Sequence, residues 1–242
     1  MRNQDFERLP VNERDKTEKA AKHFIIKEEH VSMHKVIEPK ILYFGTPVVL
    51  ISTVNEDGSA NLAPMSSAWW LNQSCMLGMS KKSQTVQNLL RERECVLNLP
   101  SADLVEAVDR LALTTGRNPV PENKAEVGYR YEPDKFKTAR LTPERADLVK
   151  PPRVAQCPVQ LEAQVVQVHP FEEPSTLVAI EVKIVRVHMD EQLLMDGEKH
   201  YIDPEKWSPL IMNFCEFFGL GHKLHPSRLA PVFQPVRQNT RM

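Results

Sequence analysis

Apolar and polar positions in the first half of the chain follow the repeat of β-strands. The segment GTPVVLIST (45–53) is rich in β-branched residues and predicts a buried strand. NEDG (55–58) predicts a hairpin turn, because Asn, Asp and Gly tolerate positive φ angles. Residues 59–70 predict the returning strand, in which Pro64 cannot donate to a ladder and marks an edge or a bulge. Two further apolar runs predict strands at 75–80 and 94–100.

Helical spacing of apolar residues appears in two segments, 83–94 and 102–113. The proline-rich residues 114–155 hold few apolar clusters and predict a long loop region with a short helix near 134–141. Loops of this length are uncommon unless they are functional. We therefore expect this one to form a lid over a bound ligand.

A long antiparallel hairpin is predicted in the second half of the chain. Residues 158–170 and 176–189 show alternation or β-branched runs, and FEEPS (171–175) joins them. Several hairpin-connected strands with a few interspersed helices favour a small barrel, because a barrel leaves no exposed sheet edge. The predicted fold is therefore mainly β, a barrel of Greek-key-like antiparallel strands with helices around it.

Composition narrows the class of protein further. A net charge of -1 over 242 residues gives no electrostatic reason to expect nucleic acid or an anionic membrane as partner. The 4 cysteines form no C-x-x-C pair and predict reduced, buried thiols. The charged N-terminus resembles no secretory signal, and no apolar run is long enough to span a membrane. We expect a soluble, cytoplasmic protein.

The stretch SKKSQT (80–85) contains a local conflict, since its two lysines precede a helix start that is already electropositive. Free backbone N–H groups, hydroxyls and lysines at one helix start form an anion site, and a bound phosphate would resolve the conflict. The alternative is that Ser80 or Ser83 caps the helix while the lysines are solvated.

The preceding segment NLAPMSSAWW (61–70) also allows two interpretations. Its small residues and Pro64 predict an open strand edge, where a flat heterocycle can bind main-chain groups. The alternative is an ordinary strand pair whose Trp69 and Trp70 pack in a core or an interface. Histidine pairs at 30/34 and 222/225 lack accompanying carboxylates or cysteines, so no metal site is expected.

Four segments in this order, GTPVVLIST, NEDG, NLAPMSS and MSKKSQTVQNL, resemble the flavin reductase-like family over roughly residues 40–220. The resemblance implies an FMN-binding split barrel and a homodimer with FMN near the subunit interface. It places the isoalloxazine ring along Pro64, Met65, Ser66 and Ser67. It also assigns the phosphate to Ser80, Lys81, Lys82, Ser83 and Thr85, and flavin or ribityl contacts to Asn61 and Asn88.

The function implied by the resemblance is that of an NAD(P)H-dependent flavin reductase, which passes a hydride from NADH or NADPH to FMN. Electrons then go to a second flavin, a partner oxygenase or another acceptor. Two alternatives are a flavoredoxin-like electron carrier and a non-catalytic flavin- or haem-binding protein. The domain expected is 39–221, flanked by a charged arm (1–38) and a proline-rich tail (222–242), which the family pattern does not explain. No general acid or base is nominated.

Overall fold

The computed structural model describes residues 34–171 and 176–233. The chain divides into two units, residues 1–40 and residues 41–242, and the named elements below belong to the second unit. Three predicted features lie wholly or mostly outside the described residues: His30, the turn within FEEPS and most of the charged arm. Within the described ranges, no helix has the length and apolarity needed to cross a membrane.

The described elements are short apart from one long hairpin. The strands are β1 (Phe44–Pro47), β2 (Val49–Val54), β3 (Ala60–Met65), β4 (Ala68–Leu71), β5 (Ser74–Ser80), β6 (Glu94–Leu99), β7 (Thr114–Thr115), β8 (Arg130–Tyr131), β9 (Pro143–Glu144), β10 (Arg153–Val154), β11 (Val159–Phe171), β12 (Leu177–Met189), β13 (Ile211–Asn213) and β14 (Glu216–Phe218). The helices are α1 (Gln84–Glu92), α2 (Val105–Asp109), α3 (Glu122–Ala125), α4 (Lys135–Ala139) and α5 (Ala230–Phe233), with 3-10 turns at Ala102–Leu104 and Glu191–Leu193.

The main sheet has seven antiparallel strands in the order β3-β2-β6-β11-β12-β5-β4. Strands β3 and β4 are consecutive in the chain, with only Ser66 and Ser67 between them, yet they form the two opposite edges. In a flat sheet those edges would lie roughly 29 Å apart. The linker reaches about 10 Å. The sheet therefore curls until its edges meet, which confirms the predicted barrel.

Two predicted strands are each divided in the structure. Residues 45–53 form β1, which pairs with β13, and β2, which lies in the main sheet. The break falls at Val48, whose N–H donates to the Leu210 carbonyl at 2.9 Å, directly after Pro47, which has no N–H. Residues 59–70 divide into β3 and β4, because one continuous strand cannot reach both edges of the barrel. Pro64 lies in the edge strand β3, as predicted.

The other predicted elements are present in the structure and differ from the predictions mainly in length. Helix α1 and the β11–β12 hairpin confirm the predictions for 83–94 and for 158–189. The predicted helix at 102–113 is a 3-10 turn followed by the short α2. The short helix predicted near 134–141 is present as α4.

The core consists of two main clusters on the two faces of the sheet near β2. Val49 and Ile51 point into the barrel interior, where helix α1 contributes Val86 and Leu89. On the opposite face Leu50 packs in a second cluster with residues of α2 and α4. Because both faces of β2 are buried, its sequence begins with the apolar run Val49–Ile51, and the polar Ser52 and Thr53 that follow are buried as well.

The region 114–155 is more ordered than the predicted loop. It contains four short strands, paired as β7 with β8 and β9 with β10, and two short helices. Phe136, Ala139 and Leu141 are buried in the second core cluster. These apolar residues lie in and just after the short helix predicted near 134–141. They hold the region against the barrel, where it forms part of the wall of the site described next.

Candidate functional site

The start of helix α1 follows strand β5 after a tight turn. The N–H of Ser83 donates to the Ser80 carbonyl at 2.9 Å, and the Ser83 hydroxyl accepts from the Val86 N–H at 3.2 Å. Ser83 is therefore the N-cap, and the capping alternative from the sequence is confirmed. The N–H groups of Gln84 and Thr85 belong to the first turn and have no acceptor within the helix. The Ser83 cap uses the Val86 N–H, so the N–H groups of Gln84 and Thr85 remain able to bind an anion.

Lys81 and Lys82 are both exposed. The Lys82 N–H donates to the Ser80 hydroxyl at 3.4 Å, and the Lys81 carbonyl accepts from the Gln87 side chain at 2.9 Å. Neither lysine lines the cavities described below. Their predicted contact with a phosphate stays a prediction.

A cavity of about 280 Å³, the smaller cavity, opens beside the start of α1. Tyr43, residues 111–116 and three residues of the 124–135 region complete its wall. Gly116 is required there, because a Cβ at this position would lie 2.7 Å from the Asn61 Oδ1 atom. Six of the residues predicted from the sequence line the smaller cavity: Pro64, Met65, Ser67, Ser80, Ser83 and Thr85.

A second cavity of about 560 Å³, the larger cavity, shares part of its wall with the first. Its lining is mainly apolar: Ala68, Trp69, Met76, Phe171, Leu177 and Val178. Thr46 also lines this cavity, and its buried Oγ1 atom has no hydrogen-bond partner among the described residues. Ser66 also lines the larger cavity.

The two cavities meet at Ser67, Gly78 and Ser80, which line both. Ser67 accepts from the Gly78 N–H at 2.8 Å through its carbonyl, and its hydroxyl lies 2.9 Å from the Tyr43 hydroxyl. A Cβ at Gly78 would lie 3.2 Å from the Ser67 Cβ, so the glycine allows this close approach. The break between β3 and β4 therefore lies at the junction of the two cavities.

Asn61 and Asn88 form hydrogen bonds between the strands and the helix next to this site. The Asn61 side-chain amide donates to the Thr53 and Thr85 hydroxyls, both at 3.2 Å, while its Oδ1 has no partner among the described residues. The Asn88 amide donates to Thr53 at 3.0 Å and to Asn55 at 2.9 Å. Neither asparagine lines the smaller or the larger cavity. The geometry favours a structural role, fixing α1 to β2 and β3, and their predicted flavin contact stays a prediction.

Two cationic residues of this site were missed at the sequence level. Lys135 is only 4% exposed and lines the smaller cavity together with Lys124. Burial, and to a lesser extent the charge of Lys124, lower the pKa of Lys135 to about 8, although Glu132 opposes the shift. Lys124 lies 5.0 Å from the centre of the Tyr129 ring. No local signal marks them, because the tertiary structure brings α3 and α4 to the cavity.

A separate cluster of Asp147, Glu162 and His188 brings potential metal ligands together away from the cavities. The buried Glu162 carboxylate accepts from the N–H groups of Asp147 at 2.8 Å and Leu148 at 2.6 Å, and lies 2.6 Å from His188 Nε2. The Asp147 carboxylate pairs with Arg186 at 2.6 Å. These protein groups already satisfy the carboxylates, so the cluster attaches residues 147–148 to the long hairpin.

The curled sheet, with a mainly apolar cavity joined to a smaller one at a helix start, defines the split-barrel class of flavoproteins. The Flavin reductase like domain model matches residues 41–203. The chain belongs to the flavin reductase-like family. The protein YdfE of Bacillus subtilis (strain 168), itself uncharacterized, is 39% identical over 199 residues, covering 82% of this chain and 95% of that protein.

Solved structures share the fold at low sequence identity. Flavoredoxin of Desulfovibrio vulgaris (Miyazaki F) gives a TM-score of 0.67 at 22% identity, covering 82% of this chain and 99% of that chain. Nitrilotriacetate monooxygenase component B from Bacillus cereus gives a TM-score of 0.64 at 18% identity, covering 81% and 100%. At these identities the comparison establishes the fold, which agrees with the predicted split barrel.

Proposed function

We propose that this protein binds FMN and acts as an NAD(P)H-dependent oxidoreductase. The observation that carries the proposal is the pair of joined cavities. A flat, apolar ring suits the larger cavity, whereas a phosphate suits the smaller one, which contains the α1 start and two lysines. Bound FMN supplies the electron-transfer chemistry, which the side chains do not provide.

In this proposal the residues of the chain hold and orient the flavin. The backbone from Pro64 to Ser67 contacts the ring edge where the strand ladder is interrupted. The first turn of α1, Ser80 and Ser83 contact the phosphate. Trp69, exposed to 56% on edge strand β4, lines the larger cavity and offers a flat aromatic surface to the ring.

The donor is NADH or NADPH, and the acceptor is a second flavin, a partner oxygenase or a small molecule. The structural similarity to a monooxygenase component supports a partner oxygenase as one acceptor. We also propose a homodimer, because exposed apolar side chains, including Trp69 and Phe171, line the larger cavity.

The test is an absorption spectrum of the purified protein, recorded anaerobically before and after NADH and then NADPH. The proposal expects oxidised-flavin bands near roughly 370 and 450 nm that disappear when one of the nicotinamides is added. Flavin that is bound but not reduced by either nicotinamide would favour a flavoredoxin-like carrier. A colourless protein that takes up no added FMN would contradict flavin binding altogether.

A further inference from the structure

Lys135 is a nearly buried lysine at the wall of the smaller cavity. Its side chain is 4% exposed and lines the smaller cavity, and none of the described residues gives it a hydrogen bond or an ion pair. Its place is fixed by the next residue, Phe136, which is buried in the second core cluster. Helix α4 therefore holds this lysine at the cavity wall.

A buried cation without a partner is costly, and a bound anion would offset that cost by pairing with it. Neighbouring charges make the protonated form of Lys135 still less favourable. Lys124, which lines the same cavity, lowers the pKa of Lys135 more than the carboxylate of Glu132 raises it. The first turn of α1 adds unpaired N–H donors to the same wall. All these features favour one small anion.

The volume of the cavity limits that anion. At about 280 Å³ it is at the lower end of small-molecule sites, which span roughly 300–1,000 Å³. It accommodates one phosphate group and adjoining atoms, while the larger cavity of about 560 Å³ accommodates a ring system. A single ligand with a flat ring at one end and a phosphate at the other fills both.

We propose that Lys135, assisted by Lys124, makes this site select a phosphorylated flavin over the same flavin without phosphate. This inference rests on the proposed function and adds a specificity residue to it. The Lys135 ammonium donates directly to the phosphate, whose charge compensates the two lysines. Lys81 and Lys82, being exposed, contribute less to this selection.

The experiment compares FMN with riboflavin, two ligands that differ only in the phosphate. Flavin-free protein is titrated with each, following quenching of flavin fluorescence, for wild type, Lys135→Met and the control Lys137→Met. Lys137 is exposed on the same helix. We expect Lys135→Met to weaken FMN binding by about 10- to 100-fold, the effect of one charge-assisted hydrogen bond. Riboflavin binding by the same variant serves as the folding control and stays within about 2-fold of wild type.

Four other outcomes would overturn the inference, and each points to a different explanation. If Lys135→Met binds FMN as tightly as wild type, the inference fails and the proposed function stands. If FMN affinity is unchanged but the KM for NADPH rises, the lysine belongs to a nicotinamide phosphate. If both flavins lose affinity equally, Lys135 only shapes the cavity. If wild type binds no flavin at all, the proposed function fails and this inference with it.

Discussion

At the residue scale, the protonation of Lys135 predicts an unusual pH dependence of stability in the flavin-free protein. Its pKa of about 8 lies below the ordinary value of 10.5, so the unfolded chain binds a proton that the folded chain releases between those values. The contribution of Lys135 to the free energy of unfolding is therefore unfavourable below pH 8 and improves as the pH rises towards 10.5. Lys135→Met should stabilise the protein at pH 7, by up to roughly 3 kcal/mol.

The measurement is urea unfolding of flavin-free wild type and Lys135→Met across this pH range. We expect the difference between them to shrink above pH 8, whereas Lys137→Met should follow wild type throughout. A difference that is constant with pH would show that the lysine is not held in a desolvated position. Bound FMN should remove the effect, because the phosphate favours the charged lysine.

At the element scale, the start of helix α1 combines a structural cap with a proposed phosphate contact, and substitutions of Ser83 can separate the two. Ser83→Ala removes the acceptor of the Val86 N–H and should destabilise the protein by about 1 kcal/mol. Ser83→Asp restores the cap, and its negative charge suits the helix dipole. The same charge repels a phosphate, so Ser83→Asp should keep its stability and lose affinity for FMN.

Thermal unfolding and flavin titration of both variants check this prediction. Ser83→Ala should lower both the stability and the affinity for FMN. Ser83→Asp should lower the affinity for FMN alone. Ser83→Asp with the FMN affinity of wild type would place the phosphate away from α1.

At the scale of the whole molecule, the proposed homodimer predicts that the exposed face of edge strand β4 is buried between two copies. Leu71 is 66% exposed and lies on the same face of β4 as Trp69, two residues away. A charge there costs little in a monomer and much in a buried interface. Leu71→Asp should therefore convert the dimer to a monomer while the fold is retained.

Light scattering coupled to size-exclusion chromatography measures the mass directly. The matched control is Leu148→Asp, since Leu148 is also an exposed leucine, at 49%, and lines neither cavity. A wild-type mass equal to the 27.7 kDa of one chain would contradict the homodimer. A Leu71→Asp protein with the wild-type dimer mass would place the interface on another face.

The sequence was informative where local chemistry is strong. The β-branched run before NEDG, the helical spacing after Ser83 and the alternation on either side of FEEPS predicted real elements. It was least informative at 114–155, where Phe136 and Leu141 are buried by contacts with residues distant in the chain. The sequence predicted the short helix around Phe136, but a helix this short does not reveal which of its residues are buried, so only the packed structure identifies them as core.

The sequence by itself determined the family, the mainly β architecture and the serine-rich helix start, because these depend on neighbouring residues and on their order. Tertiary structure decided two other matters. It divided residues 59–70 at Ser66 and Ser67, since the strands on either side close opposite edges of one curled sheet. It also brought Lys135 to the smaller cavity, because the position of a side chain in space depends on how α4 packs against the barrel and no local pattern encodes that packing.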